Sequence, residues 1–289
     1  MRVAVLGATG MLGRVVCRVL HAAGHHVTAW VNDQRDIASV ALPLAHAVRL
    51  GNLSRRSQAR IVASWGGEWI VNCAGVVKSR TDTLADVAVL VNAGLPHWLE
   101  RDCAMTSTRI IHLSSDCVFN GTKGNYTEAD DPDATDLYGA SKAAGEITGP
   151  RSLTLRTSFV GCERGTQRGL LEWFLRQARE HAAVQGYTNH TWSGLSAMEV
   201  ARVIGRIISS KWRISGVYHL AGRSITKCDL LLLLRERLGL DVEVMPAETP
   251  ITINRTLDPS AFRGTMEYIA PPWSAMAEDL VDELEVSRA

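Results

Sequence analysis

The chain has 289 residues, 46% of them hydrophobic, with 31 Lys+Arg against 30 Asp+Glu and a formal net charge of +1. That length suits one large α/β domain, or such a domain with a small annex, and the balanced charge gives no basis for a nucleic-acid or acidic-membrane partner. Cys17, Cys73, Cys103, Cys117, Cys162 and Cys228 are scattered without C-x-x-C spacing, which points to a reduced, cytoplasmic chain with neither a zinc site nor a disulfide framework. No apolar run reaches membrane-spanning length, and the first strand begins at once, which argues against a secretory signal.

In chain order, the first half alternates strand and helix. Apolar runs predict strands at Arg2–Leu6, His26–Val31, Ala47–Leu50, Trp69–Asn72 and Arg109–Leu113. Helical periodicity predicts helices over Met11–Ala23, Arg55–Ser64 and Asp86–Ala104 between them. Such alternation implies right-handed βαβ units and a doubly wound parallel sheet, the α/β, Rossmann-type architecture. A loop rich in Gly, Asn, Asp and Pro spans 114–136, and a helix carrying Tyr138 follows. Further on, a strand is expected at Ser152–Arg156, helices near Leu170–His181 and Ala197–Ser209, a strand at Val217–Leu220 and a helix at Lys227–Leu238. The segment Asp241–Arg263 contains Pro246, Pro250 and Pro259 and has no clear period. We expect a dinucleotide-binding domain over 1–160, with later strands returning to it from about 183–195 and 215–221. A small carboxyl-terminal, mainly substrate-binding subdomain should occupy 161–289.

Four features carry chemistry. Gly7-Ala8-Thr9-Gly10-Met11-Leu12-Gly13 follows a strand and opens a helix; glycines admit a pyrophosphate to the backbone, and the helix N-terminus offers N–H groups and a positive dipole end. Asn72-Cys73-Ala74-Gly75 and Ser114-Ser115 end two further strands, and ligands of parallel sheets lie beyond those carboxyl ends. Tyr138 and Lys142 stand at i and i+4, on one helix face, where an ammonium can lower the phenol pKa. Each feature alone has a plainer reading as a turn or a solvated face. Their joint occurrence, in this order, points to one crevice. The acids Asp130, Asp131, Asp133 and Asp136 read as a solvated loop, because their spacing does not suit calcium. Trp173-Phe174 reads as helix packing.

On these residues the chain resembles the extended short-chain dehydrogenase/reductases, and within them the dTDP-4-dehydrorhamnose reductase group. The carriers are Gly7–Gly13, Val71–Gly75, Val91-Asn92-Ala93, His112–Gly121, Tyr138–Glu146 and Leu155–Ser158. The resemblance implies reduction of the C4 keto group of a nucleotide-linked 4-keto-6-deoxy sugar, in deoxysugar biosynthesis, by a chain that can form a homodimer. Ser115, Tyr138 and Lys142 would be catalytic: Tyr138 protonates the oxygen that hydride leaves negative, Ser115 orients it, and Lys142 holds the cofactor ribose. Metal is not expected. NADPH is preferred, with NADH as the other choice; Asn32 stands where an NAD reader carries an acid, and Arg35 follows. The cofactor would meet Gly7, Thr9, Gly10, Met11, Leu12, Asn32, Arg35, Asn52, Leu53, Cys73, Ala74, Gly75, Val77, Asn92 and Ser114, besides Tyr138 and Lys142. Lys78, Asp116, Cys117, Thr157, Asn189 and Trp192 would meet the substrate. The chain departs from the group at Cys117, where the group has Tyr, and over Gln185–Gly194. A UDP-linked amino sugar is therefore a rival substrate, and that stretch is either a specificity loop or a packing loop. An epimerase with tightly bound NAD and a non-catalytic NADP-binding regulatory subunit are the alternative functions.

Overall fold

The computed structural model describes residues 1–32, 47–163, 169–210 and 214–288. The chain divides into two compact units: unit 1 is Met1–Val118, Pro132–Arg156 and Ala201–Tyr218, and unit 2 is Phe119–Asp131, Thr157–Val200 and His219–Ala289.

Unit 1 is built on a seven-stranded, mostly parallel sheet. Its strands are β1 (Arg2–Leu6), β2 (His26–Val31), β3 (Ala47–Arg49), β4 (Trp69–Asn72), β5 (Arg109–Leu113), β6 (Ser152–Arg156) and, after four further short strands described below, β11 (Gly216–His219). Their spatial order is β11-β6-β5-β4-β1-β2-β3. β4, β5 and β6 are buried at every position. A parallel sheet covered on both faces buries its strands along their whole length, and here that burial takes in polar side chains such as Asn72, His112 and Thr154 besides the apolar ones. Registers align Leu6 with Asn72, Asn72 with His112, and His112 with Thr154. Helix α1 (Met11–Ala22) buries Leu12, Val15, Val16 and Leu20, and α2 (Arg56–Ser64) buries Ala59 and Val62 in a cluster with Leu6, Ile70, Leu95 and Leu99.

The expected helix 86–104 is several segments: α3 (Lys78–Thr81), a 3₁₀ turn at Asp82–Leu84, α4 (Ala85–Ala88), a π-helical stretch at Val89–Gly94, and α5 (Leu95–Cys103). Pro96 stands at the start of α5 and has no N–H for the carbonyl of Asn92, which accounts for the widened turn. Helix α6 (Leu137–Ala144) begins at Asp136, whose carboxylate caps the N–H of Gly139 at 2.9 Å.

Unit 2 departs from expectation most. Its strands are short patches: β7 (Phe159–Val160) pairs with β10 (Leu195–Ser196), β8 (Val184–Tyr187) with β13 (Val244–Ala247), and β9 (His190–Trp192) with both β12 (Ile225–Thr226) and β14 (Ile253–Asn254). Thus 216–219 joins the large sheet, as expected, but 184–187 does not. It runs parallel to Val244–Ala247 with Gly186 against Cys228, where a Cβ would lie 2.9 Å from the Cys228 Cα. The expected boundary at 160 also moves: 119–131 belongs to unit 2 and 201–218 to unit 1. Helices α7 (Leu170–Arg179), α8 (Ala197–Ser209), α9 (Lys227–Leu238), α10 (Ser260–Met266) and α11 (Trp273–Arg288) complete the chain. Among the described residues no helix is long and apolar enough to cross a membrane.

Candidate active site

The glycine turn is shaped for close backbone approach. Gly7 has φ +71°, a left-handed conformation that side chains disfavour. A Cβ there would lie 2.8 Å from Ala74 N, and a Cβ on Gly13 only 2.1 Å from Gly7 O. The turn is closed by Gly10 N–H donating to Gly7 O at 3.0 Å. Gly10 caps α1 without any side-chain hydrogen bond, so the first-turn N–H groups of a twelve-residue helix face an anion site. Thr9 and Met11 are half-buried, whereas Leu12 is core. Asn32 is exposed directly after β2; Asp33 and Arg35 lie outside the described residues. The Asn52 side-chain oxygen Oδ1 accepts from Ser54 N and Oγ at 2.9 and 2.8 Å, and Leu53 packs on the core.

Beyond β4, Cys73 is half-buried, Ala74 buried, and Gly75 and Val77 exposed. Asn92 differs from expectation. It is fully buried, and its amide is spent: Oδ1 accepts from Val76 N at 2.8 Å, while Nδ2 donates to Val76 O and Ser141 Oγ at 3.1 Å each. Asn92 therefore ties the loop after β4 to α6. Ser114 is spent likewise. Its hydroxyl donates to Glu146 Oε1 at 2.8 Å, and the Arg156 guanidinium grips the same carboxylate at 2.8 and 2.7 Å.

Ser115, Tyr138 and Lys142 come together on unit 1. Ser115 is buried at the end of β5; its hydroxyl donates to Asp116 Oδ1 at 3.2 Å, accepts from Cys117 N at 3.1 Å, and is hydrogen-bonded to Tyr138. Lys142 is 5% exposed and donates to Leu113 O at 2.5 Å. Burial holds its ammonium down to about 8, opposed by Glu146 and Cys73. The Tyr138 phenol moves the other way from our expectation. Burial pushes it up, helped by Cys117, Asp116 and Asp136; only the Ser115 hydrogen bond acts downward. The physical reason is that Lys142 spends its charge on the Leu113 carbonyl and pays desolvation itself, so it does not outweigh the burial of the phenol. A phenol so placed keeps its proton, which is the form that donates.

Of the expected substrate contacts, Asp116 and Cys117 flank this pair. Lys78 is half-exposed and ion-paired with Asp136 at 2.7 Å, at the start of α6. In unit 2, Thr157 is buried with its hydroxyl unpartnered. Asn189 clamps Thr249: Nδ2 donates to Thr249 O at 2.8 Å and Oδ1 accepts from Thr249 N at 3.2 Å. Trp192 is 3% exposed, 5.6 Å from the Trp273 ring, with Lys227 Nζ 3.9 Å over its face. Both named residues of the stretch 185–194 thus make packing contacts within unit 2. Sequence reasoning missed a cavity of about 500 Å³ in unit 2, lined by Arg223, Arg263, Asn125, Thr191, Ser224 and Asn254 among others. Arg223 makes no ion pair among the described residues, and no carboxylate lines the cavity. The Gly222-Arg223-Ser224 turn, just past a strand, was its one signal in the sequence.

The RmlD substrate binding domain family matches residues 1–286. The chain belongs to that family. It is 28% identical over 261 residues to the probable low-salt glycan biosynthesis reductase Agl14 of Haloferax volcanii, covering 87% of this chain and 85% of that one. It is 24% identical to the dTDP-4-dehydrorhamnose reductase of Salmonella typhimurium, over 98% of each chain. The structure of dTDP-4-dehydrorhamnose reductase from Bacillus anthracis in complex with NADP superposes with a TM-score of 0.80 at 19% identity, covering 98% and 99% of the two chains. At that identity the likeness speaks for the RmlD fold.

Proposed function

We propose that this RmlD-family chain is an oxidoreductase that uses a nicotinamide cofactor, NADPH by preference, to reduce a nucleotide-linked 4-keto-6-deoxy sugar. The observation that carries the reading is that Tyr138 and the buried Lys142 stand one helical turn apart on α6, with Lys142 bonded to the Leu113 carbonyl just before Ser115 and Tyr138 in reach of the Ser115 hydroxyl. The cofactor's chemistry is hydride donation. The residues suit it: the glycine cradle leaves no room for a Cβ at Gly7 or Gly13, and the N-terminus of α1 presents unspent donors.

The chain's own groups then act as follows. Ser115 and Tyr138 hydrogen-bond the keto oxygen, and as that oxygen becomes an alkoxide Tyr138 gives up its proton. Lys142, charged below about pH 8, stabilises the phenolate left behind. Asp116 accepts from the Ser115 hydroxyl before substrate arrives, and that O–H turns from Asp116 to the keto oxygen when it does. Taken by itself, the unit 2 cavity with Arg223 and Arg263 suits a phosphate-bearing ligand, since guanidinium groups bind phosphate bidentately. The names of the relatives favour a dTDP-linked sugar, with a UDP-linked amino sugar as the rival. The test is a panel of dTDP- and UDP-linked 4-keto sugars with NADPH. Loss of NADPH absorbance with a member of the panel is expected. No loss across the panel would contradict the reading, and tightly bound NAD with no net consumption would replace it by epimerisation.

A further inference from the structure

We propose that His112 is a positioning residue that sets the height of the Cys73–Gly75 turn through Asn72, an inference that rests on reading unit 1 as the dinucleotide-binding unit. His112 is fully buried in the middle of the sheet. On β5 it lies in register with Asn72 on β4, which in turn lies beside Leu6 on β1. The Asn72 amide has two ends with different duties. Its oxygen accepts from Ala74 N at 3.2 Å, so its nitrogen faces His112 Nδ1, at 3.1 Å. An amide nitrogen only donates. His112 Nδ1 must therefore be an unprotonated acceptor, and the ring proton sits on Nε2. Burial and the nearby Lys142 hold the imidazole well below its ordinary pKa, in keeping with a neutral ring.

Nε2 is buried and has no hydrogen-bond partner. For stability alone a leucine would serve this site better, because an unmet buried N–H costs free energy. What the imidazole supplies and a leucine lacks is the acceptor at Nδ1. With it, the Asn72 amide has one orientation, and its oxygen stays under Ala74 N. The Cys73–Ala74 backbone packs directly on Gly7, where a Cβ would lie 2.8 Å from Ala74 N and 2.9 Å from Ala74 Cα. The chain of contacts His112–Asn72–Ala74–Gly7 thus runs across three strands into the glycine turn. Without the acceptor the amide can rotate, and the two turns lose their common reference.

The experiment is NADPH and NADH binding by titration calorimetry on the purified full chain, with thermal unfolding in parallel. The variants are His112→Leu, His112→Asn, Asn72→Leu and the double variant His112→Leu/Asn72→Leu. His112→Leu should weaken NADPH binding about ten-fold, one hydrogen bond's worth, while its unfolding midpoint holds or rises. His112→Asn, which can restore an acceptor near Nδ1, should bind within about three-fold of wild type, less than half a decade. Asn72→Leu should match His112→Leu, and the double variant should be no weaker than the worse single, because the two act as one unit. Wild-type affinity in His112→Leu overturns the proposal, as do losses that multiply in the double variant. Should His112→Leu fail to fold, weak binding by a folded His112→Asn overturns it too. A wild-type chain that binds neither nucleotide overturns the dinucleotide reading together with this one; binding by wild type and His112→Leu alike overturns this one only.

Discussion

Polar side chains are used differently in the two units. At the strand ends of unit 1 they are buried and hold one another: Ser114 and Arg156 meet on Glu146, Asn92 spans Val76 and Ser141, and Asn72 meets His112. In unit 2 the polar groups near the short strands mostly hold backbone, as Asn189 holds Thr249 and Arg255 holds the Phe119 and Asn120 carbonyls at 2.9 and 3.1 Å. Arg223 and Arg263, by contrast, stand exposed there. A reacting proton needs fixed geometry, which a buried, hydrogen-bonded network at the ends of packed strands provides. Recognition of a large anionic ligand needs reach and charge, which exposed guanidinium groups provide. On this reading, damage to unit 1 should strike rate or folding, and damage to the unit 2 cavity should strike substrate affinity.

The largest effect should come from Tyr138→Phe. Loss of a positioned proton donor should lower turnover by about 10²–10⁴-fold, with the unfolding midpoint and cofactor affinity near wild type. Wild-type turnover would remove Tyr138 from the mechanism. Next comes Glu146→Gln, which breaks an ion pair with side chains only 5% and 8% exposed. Neutralising the charged partner of the buried Arg156 should cost about 3–5 kcal/mol in denaturant unfolding; a cost below 1 kcal/mol, the ordinary worth of a surface pair, would mean the network does not hold unit 1 together.

Arg223→Ala should raise KM for the nucleotide sugar by roughly ten- to a hundred-fold, as loss of a charged hydrogen bond does, with kcat unchanged. An unchanged KM would move the diphosphate elsewhere. The smallest effect concerns pH. Lys142 is charged below about 8 and neutral above it, so kcat/KM for reduction should be flat below that value and fall as pH rises through it. Lys142→Met should remove the slope along with most activity. The same shift has a stability sign. Between about 8 and 10.5 the unfolded chain keeps a proton that the folded chain has lost, so stability gained from this group rises with pH there. A reductive rate that climbs through pH 8 would contradict the assignment.

The sequence revealed unit 1 because its signals are local and its strands buried. Val3–Leu6, Ile70-Val71 and Ile110-Ile111 are unbroken apolar runs, and the glycines stand where the backbone needs them. The widened turn at Val89–Gly94 was hidden, since one absent N–H at Pro96 leaves no trace in periodicity. Unit 2 was opaque for a different reason. Its strands are two to four residues long and pair across large sequence separations, as Val184 with Val244, so neither alternation nor turn spacing marks them. The site follows the same division. Ser115, Tyr138 and Lys142 could be named in advance, but the direction of the Tyr138 shift could not, because it depends on burial. Trp192 and Asn189 look like ligand contacts as residue types, and the sequence holds no sign of their packing against Trp273 and Thr249.

The central claim is that Tyr138 and Ser115 complete a net reduction of a keto sugar. The direct measurement is deuterium transfer from NADPH labelled at the hydride position to a nucleotide-linked 4-keto-6-deoxy sugar, in wild type and Tyr138→Phe. The account predicts one deuterium on the former keto carbon of the wild-type product, one equivalent of cofactor oxidised per product, and the same label delivered far more slowly by the variant. A product without deuterium, or turnover with no net loss of the reduced cofactor, would contradict it.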